Sequence, residues 1–386
     1  MSVKVGAAIS REPDSLAAGA AAGRSVAETL DGADADLVLV FASGTHLANP
    51  QRVLVPLHAV LAPRVLIGCA AGGVLGSRRE VEDDTALAVW AASFDGGGEA
   101  RPFHASAEES PLGPDLEGLP ALAGASGAIL LADPYSFPAE MALGELAETA
   151  AGVPVLGGLV SAEGSAGSLF FGEEIHDDGA VGISLHGVEV LPCVSQGAAP
   201  VGRELTITAA EDNIIHELAG RPALQTVERI VADLPRRERG LVGGGLLIGI
   251  VIDSGKPEFA PGDFLVRGIL GADPESGSLA VGAEVREGQV VRLHARDARS
   301  AHEDLQRALR LQIEAMSGAR PAGSLLFSCN GRGQAMFGAS NHDAETVHHE
   351  LRGSPAAGFF AAGEIGPVAG RSFLHGFTAT LAVFPG

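Results

Sequence analysis

The side chains best suited to chemistry lie towards the C-terminal end of the sequence, at two glycine-rich turns that follow short apolar runs. Cys329, Asn330 and Arg332 follow the first run, and Glu364 follows the second. Glycines let the backbone approach a ligand closely, and polar groups at strand ends are typical of small-molecule sites. The pattern therefore predicts a polar site at the ends of two buried strands.

The charged residues of this region match a zwitterion such as an amino acid. Arg332, Arg296 and Arg267 carry guanidinium groups, which hold a carboxylate through two parallel hydrogen bonds. Glu364 and Asp297 can pair with an ammonium group on the same ligand. The alternative is a network of arginines and carboxylates that holds the fold together. Arg332 lies in a turn between two glycines, which favours a ligand.

Cys329 has two interpretations. It can act as a thiolate nucleophile, with His375 or His294 as the base. A lone cysteine among small residues is more often a compact core side chain, so we predict no catalytic residue and keep the enzyme as an alternative. A metal ion held by Glu364, Asp297 and the two histidines is conceivable, but the spacing of these residues does not single it out. No cofactor is predicted.

Composition narrows the class of protein. The sequence has 386 residues, of which 46% are hydrophobic and 19% charged, and this favours a globular protein of two domains. The net charge of −22 argues against nucleic-acid binding. No apolar run reaches the roughly 18–20 residues of a membrane span, and no signal peptide is evident. The scattered cysteines Cys69, Cys193 and Cys329 fit a reducing, cytoplasmic location.

Apolar runs alternate with amphipathic stretches, which predicts strands and helices in alternation. Asp14 is placed to cap the first helix. A hairpin is expected over residues 168–190, with its turn at residues 177–179. Strand–helix–strand units imply mixed β-sheets flanked by helices. We therefore predict an α/β protein with domains 1–198 and 199–386, separated by a change of composition.

The two ends of the chain share a strand–helix–strand–hairpin pattern. For example, residues 69–76 match residues 360–367. This predicts a fold built from pseudo-symmetric repeats. In this comparison Glu364 takes the place of Gly73, so the reactive groups are concentrated in the C-terminal copy. A shared scaffold does not explain that asymmetry, whereas a site does.

Several motifs resemble those of the FIST family, named for F-box and intracellular signal transduction proteins. The N-terminal half is similar to a FIST N domain through DLVLVFAS, IGCAAGGVLG and REVEDDTALAV. The C-terminal half is similar to a FIST C domain through EDNIIHELAGRPAL, DFLVRGILG, RDARSAHEDL, SCNGRG and GEIGPVAG. The resemblance spans nearly the whole sequence.

The resemblance implies a sensory protein that binds small polar ligands such as amino acids, with no established catalytic chemistry. The two domains nearly fill the sequence, so we expect a separate signalling partner protein to pass on any signal. A protein-interaction scaffold with an acidic surface is a further alternative. The motif positions that carry over as ligand-binding candidates are Asn213, Arg267, Arg296, Asp297, Cys329, Asn330, Arg332 and Glu364.

Overall fold

A computed structural model describes residues 3–111, 113–162 and 168–386. The strands, in chain order, are β1 (Val3–Ser10), β2 (Leu37–Ser43), β3 (Val65–Ala70), β4 (Gly73–Gly76), β5 (Arg79–Glu82), β6 (Ala86–Phe94), β7 (Glu99–Ser110), β8 (Gly113–Glu117), β9 (Gly127–Ala132), β10 (Val155–Leu159), β11 (Leu169–Phe171), β12 (Glu174–His176), β13 (Ala180–His186), β14 (Leu191–Gln196), β15 (Ala198–Glu211), β16 (Ile214–Leu218), β17 (Arg221–Pro222), β18 (Leu246–Val251), β19 (Phe264–Asp273), β20 (Ser278–Val281), β21 (Val290–Arg296), β22 (Pro321–Cys329), β23 (Ala356–Ala361), β24 (Glu364–Val368), β25 (Arg371–His375) and β26 (Thr378–Pro385). The helices are α1 (Ser15–Leu30), α2 (Gln51–Leu61), α3 (Ala139–Thr149), α4 (Ala223–Asp233), α5 (Arg236–Val242), α6 (Ala298–Ala315), α7 (Gln334–Phe337) and α8 (His342–Glu350).

Local sequence explains where the first helix begins and how closely it packs. Asp14 caps α1, as predicted, because its Oδ1 accepts a hydrogen bond of 2.9 Å from the Ala17 backbone. Gly19 then faces α2, where a Cβ atom would lie 2.5 Å from the Val53 carbonyl oxygen. A glycine is therefore required for the two helices to approach this closely.

The chain forms two compact units. Unit 1 comprises Met1–Val194, Leu305–Leu374 and Ala379–Gly386, and unit 2 comprises Ser195–Asp304 and His375–Thr378. This division differs from the sequence-based domains, because residues late in the chain return to unit 1. The boundary between a FIST N-like domain and a FIST C-like domain at residue 198 stays a prediction.

Unit 1 contains three sheets that share an order of six strands, and the second sheet has one additional edge strand, β8. The first sheet is β1-β6-β2-β3-β11-β12, the second is β8-β7-β13-β9-β10-β24-β25 and the third is β14-β26-β22-β23-β4-β5. Each has a central parallel pair, namely β2 with β3, β9 with β10, or β22 with β23. In each, two strands from a distant part of the chain extend the sheet beyond that pair. The three sheets are thus linked by exchanged strands, while the repeat in the sequence remains a prediction.

The exchange of strands also corrects one prediction. The expected hairpin over residues 168–190 is wrong, because the turn near Gly179 separates two sheets. Leu169 of β11 pairs with His176 of β12 in the first sheet, whereas β13 pairs with β7 and β9 in the second. Short apolar runs predict that strands form, but they do not specify the partner strand.

Aromatic side chains from different sheets form the core of unit 1. The ring of Phe41 on β2 lies 5.2 Å from that of Phe359 and 6.4 Å from that of Phe327. Trp90 lies 5.0 Å from Phe384 in the same core. These contacts hold the inner faces of the first and third sheets together, so the ends of their strands have fixed positions.

Unit 2 has a single sheet in the order β15-β21-β18-β19-β20-β16-β17. Its apolar core includes Ile207, Ile248 and Leu293 from the sheet and Val227 and Ile230 from α4. The α/β class and the mixed sheets flanked by helices are therefore confirmed.

Candidate functional site

The site is built at the ends of the parallel strands β22 and β23. Cys329 lies opposite Ala361 in the register of these strands, and the Asn330 backbone N–H donates a 2.9 Å hydrogen bond to the Ala361 carbonyl. On the other side of β23, β4 pairs in the antiparallel sense, with Val74 opposite Phe359. This pairing brings residues from both halves of the sequence to one edge of the third sheet.

A pocket of about 440 Å³ opens at this edge of unit 1. Its lining combines two carboxylates, a hydroxyl, an amide, an aromatic ring and two glycines: Glu82, Asp83, Ser161, Asn330, Phe360, Gly72 and Gly73. Small-ligand sites in proteins fall in the range of about 300–1,000 Å³. With two carboxylates and no basic side chain among these lining residues, the pocket favours a ligand with a positively charged group.

The hydroxyl of Ser161 joins the pocket walls. Its oxygen accepts a 3.0 Å hydrogen bond from the Gly72 backbone N–H and donates to the Phe360 carbonyl. Gly73 cannot carry a side chain, because a Cβ atom there would lie 2.7 Å from the Val81 carbonyl oxygen. At Gly72 the nearest atom would be 3.4 Å away, an ordinary contact. Position 72 therefore has room for a Cβ atom beside the pocket.

Glu82 lines the pocket and also holds the turn that follows β22. Its two carboxylate oxygens accept hydrogen bonds of 2.9 and 3.2 Å from the Gln334 backbone N–H. A Cβ atom at Gly333 would lie 2.0 Å from this carboxylate, so any larger residue there would displace the Glu82 side chain. The glycine at 333 therefore serves a contact with β5, which sequence analysis did not identify.

Arg332 is buried in unit 1 and paired with Asp343. Its side chain is 1% exposed. Nε and Nη2 donate hydrogen bonds of 2.7 and 2.9 Å to the two carboxylate oxygens of Asp343. Its guanidinium also lies 5.3 Å from the ring centre of Phe337. This geometry is that of the structural network named above as the alternative, so direct ligand contact by Arg332 stays a prediction.

Asp343 is the centre of this buried network. It also accepts hydrogen bonds of 2.7 Å from Ser328 Oγ and 2.9 Å from the ring of His342. Burial alone would raise the pKa of Asp343, but Arg332 and these hydrogen bonds outweigh it and hold the pKa well below its usual value. Asp343 is therefore ionised in the folded chain.

Glu80 approaches the same network from β5. Its Oε1 accepts a 2.9 Å hydrogen bond from the Ala344 backbone N–H at the start of α8. Its Oε2 is buried without a hydrogen-bond partner among the described residues. Burial and the nearby charge of Asp343 raise the pKa of Glu80 to about 7. Glu80 can therefore exchange a proton near neutral pH.

Cys329 and Glu364 lie near Arg332. Both interact electrostatically with the arginine. The Cys329 side chain is buried, and its Sγ contacts Asn330 Oδ1 at 3.8 Å. Glu364 is buried on β24, opposite Gly158 of β10. The structure therefore brings together the four predicted residues of the C-terminal turns, and Asn330 reaches the pocket wall.

The other predicted residues belong to unit 2 and have local contacts there. Asn213 donates a 3.1 Å hydrogen bond to the Val281 carbonyl, which fixes the turn between β15 and β16. Asp297 accepts hydrogen bonds from Arg299 N and Ser300 Oγ at the start of α6. The guanidinium of Arg296 lies 4.6 Å from the Phe377 ring centre, and Arg267 Nη1 donates to the Val266 carbonyl at 3.2 Å. These contacts support elements of the unit 2 fold.

Sequence analysis missed the acidic side of the pocket. Glu82 and Asp83 come from the N-terminal half and reach the site because β4 joins the third sheet, and Ser161 follows β10, which pairs with β24. The run of acidic residues in REVEDD was the available signal.

Comparison with known proteins places the chain. Residues 36–221 match the FIST N domain, and residues 223–367 match the FIST C domain. The chain belongs to the FIST family. An uncharacterized protein of Mycobacterium tuberculosis is 40% identical over 385 residues, which cover 99% of this chain and 100% of that protein. An uncharacterized protein of Mycobacterium bovis is 38% identical over 385 residues, which cover 99% of each chain.

FIST domains are generally sensory domains of signal transduction. Within residues 3–111, 113–162 and 168–386, no helix has the length and apolar character needed to cross a membrane. In the same ranges, no three His, Cys, Asp or Glu side chains are grouped to hold a metal ion.

Proposed function

We propose that this FIST protein is a cytoplasmic sensor that binds a small metabolite carrying an ammonium group, such as an amino acid, in the strand-end pocket of unit 1. The observation that carries the proposal is the pocket of about 440 Å³ with Glu82 and Asp83 in its wall. Asn330 is the predicted site residue that also lines it. The family's sensory character supports a binding role.

The chemistry of the wall favours the ammonium end of the ligand. A hydrogen bond between a charged group and its partner contributes about 1.5–3 kcal/mol. Asp83 is exposed and Glu82 accepts from Gln334, and both present carboxylate oxygens as acceptors at the edge of the pocket. The amide of Asn330 can donate to a carboxylate or carbonyl oxygen of the ligand. Arg332 stays with Asp343 in this arrangement.

Titration calorimetry tests the proposal with a panel of amino acids, each paired with the same acid lacking its amino group. We expect binding by at least one amino acid and at least tenfold weaker binding by its deaminated partner. Asp83→Asn should weaken binding about tenfold, which corresponds to about 1.4 kcal/mol. Asp84→Asn is the matched control, since Asp84 is the next residue and does not line the pocket.

A second variant blocks the pocket without removing a polar group. Gly72→Leu should abolish binding and leave the thermal midpoint nearly unchanged, because position 72 has room for a Cβ atom. The proposal is wrong if no amine in the panel binds, or if a bound ligand tolerates both Asp83→Asn and Gly72→Leu.

The alternative function, an enzyme acting through Cys329, rests on the electrostatic contact between Cys329 and Arg332. A nearby guanidinium stabilises a thiolate. Burial raises the pKa of the Cys69 thiol, so Cys69 provides the unreactive reference. Labelling of native protein with iodoacetamide, followed by peptide mass spectrometry, should modify Cys329 at least tenfold faster than Cys69 if the alternative holds. Equal, slow labelling would remove the enzyme from consideration.

A further inference from the structure

A second groove, of about 550 Å³, runs beside β1 in unit 1. Its wall includes every residue from Ala7 to Glu12. Side chains of a strand alternate between the two faces of the sheet, so a cavity on one face would be lined by every second residue. The groove therefore follows the backbone edge of β1 from Ala7 to Ser10 and continues past the end of the strand to Glu12.

That edge is open in the described part of the chain. β1 is the last strand of the first sheet and pairs with β6 on its inner side. The second sheet has β7 in the same position, and there β8 covers the outer edge in antiparallel pairing, with Ser106 opposite Glu117. One sheet thus carries an added strand at the place where the other has a groove.

Another part of the groove wall comes from α1. It is formed by Ala21, Ala22 and Ser25 of α1, whose side chains are small. A strand lies about 4.8 Å from its neighbour in a sheet, so small side chains leave the space that an added backbone needs.

Basic side chains in the groove wall favour a partner segment that carries an acidic residue. Arg11 and Arg79 line it together with Glu12, although the chain as a whole carries a net charge of −22. Arg11 is paired with Asp84 at 2.8 Å. Arg79 is exposed and makes no ion pair with a residue of the described ranges. A partner carboxylate can therefore pair with Arg79.

We propose that β1 accepts an extended segment of a partner protein as an added strand, with an acidic side chain of that segment at Arg79. Main-chain hydrogen bonds to a free sheet edge supply affinity in such complexes, and the flanking side chains supply specificity. The surface shares no lining residue with the ligand pocket, so it provides a separate route by which the sensor contacts its signalling partner.

The test uses a fluorescent, capped peptide of about six residues, the length of the lining stretch 7–12, with alternating valine and serine and one glutamate. Two further peptides carry N-methyl groups on alternate residues, so that each lacks the N–H donors of one edge. Fluorescence anisotropy should show that the parent and one methylated peptide bind, while the other methylated peptide binds at least tenfold more weakly. Equal binding of the two methylated peptides would overturn strand addition, because contacts by side chains alone do not distinguish them.

Two variants locate the peptide. Arg79→Glu should weaken binding of the glutamate peptide at least fivefold and favour a lysine peptide. Arg78→Glu, at the adjacent exposed residue outside the groove, should not. Ser25→Trp should block the groove, whereas Glu28→Trp, on an exposed part of the same helix, should leave binding unchanged. Binding that survives Ser25→Trp, or no binding at all, overturns the proposal. Concentration-dependent dimerisation blocked by Ser25→Trp would instead assign the edge to a second copy, and would also overturn it.

Discussion

Glu80→Gln should stabilise unit 1 at neutral pH and have little effect in mild acid. In the folded chain the Glu80 carboxyl is largely buried, its Oε2 has no hydrogen-bond partner among the described residues, and the ionised Asp343 lies nearby. Glutamine keeps the acceptor for the Ala344 N–H and cannot ionise. The substitution therefore removes a buried charge without removing its hydrogen bond.

The size of the effect follows from the pKa. The pKa of Glu80 is about 7 in the folded chain, against an ordinary value of 4.5. A pKa difference of one corresponds to about 1.4 kcal/mol, so ionised Glu80 destabilises the fold by about 3 kcal/mol. Since the folded state holds the proton more tightly, it binds more protons than the unfolded state between pH 4.5 and 7. The contribution of Glu80 to stability therefore falls as pH rises through this window.

Urea unfolding at pH 4.5 and pH 8 measures the effect. Trp90, the single tryptophan, lies in the core of unit 1, and its fluorescence reports the unfolding of that unit. We expect Glu80→Gln to raise the free energy of unfolding by about 3 kcal/mol at pH 8, and by much less at pH 4.5. Glu345→Gln is the control, because Glu345 lies in the first turn of α8, the turn that Glu80 contacts from β5, but is exposed.

An equal change in stability at the two pH values would contradict a buried, proton-binding Glu80. A variant less stable than the natural chain at pH 8 would also contradict it, since that would show that the ionised form is favoured. A similar pH-dependent gain with Glu345→Gln would assign the effect to the start of the helix and not to burial.

Two further predictions concern the same region. Asp343→Ala should lower the free energy of unfolding by about 3–5 kcal/mol, because it leaves the Arg332 guanidinium buried without its partner. The double variant Asp343→Leu with Arg332→Met should recover most of this loss when both proteins are unfolded in urea. No recovery would contradict the pairing. Gly73→Ala should lower the thermal midpoint, because its Cβ atom would lie 2.7 Å from the Val81 carbonyl, whereas Gly72→Ala, with 3.4 Å to the nearest atom, should not; equal midpoints in calorimetry would contradict the close contact.

Sequence patterns predicted much of the local structure. The apolar runs that we expected to be strands are strands, and Asp14 caps α1. The family was also predictable, because the motifs that resemble it, such as SCNGRG, are short contiguous segments of the sequence. These features depend on neighbours in the sequence, so local propensity and side-chain periodicity are sufficient to reveal them.

The partners of the strands were not predictable. The 168–190 segment does not form one hairpin, because β12 and β13 enter different sheets. Likewise β4 follows β3 in sequence but pairs with β23, almost 300 residues later. Period-two patterns show which face of a strand is buried and contain no information about which distant strand lies beside it.

The α/β class, the family and the strand-end position of Cys329, Asn330 and Arg332 all follow from local sequence patterns. The role of those residues depends on how the chain folds around them. The tertiary structure buried Arg332 against Asp343, and it brought Asp83 beside Asn330 to form an acidic pocket. An arginine at a glycine-rich turn can pair with a ligand or with the protein's own carboxylate. The outcome depends on how the chain folds after the turn, which here places Asp343 of α8 within hydrogen-bond distance of Arg332.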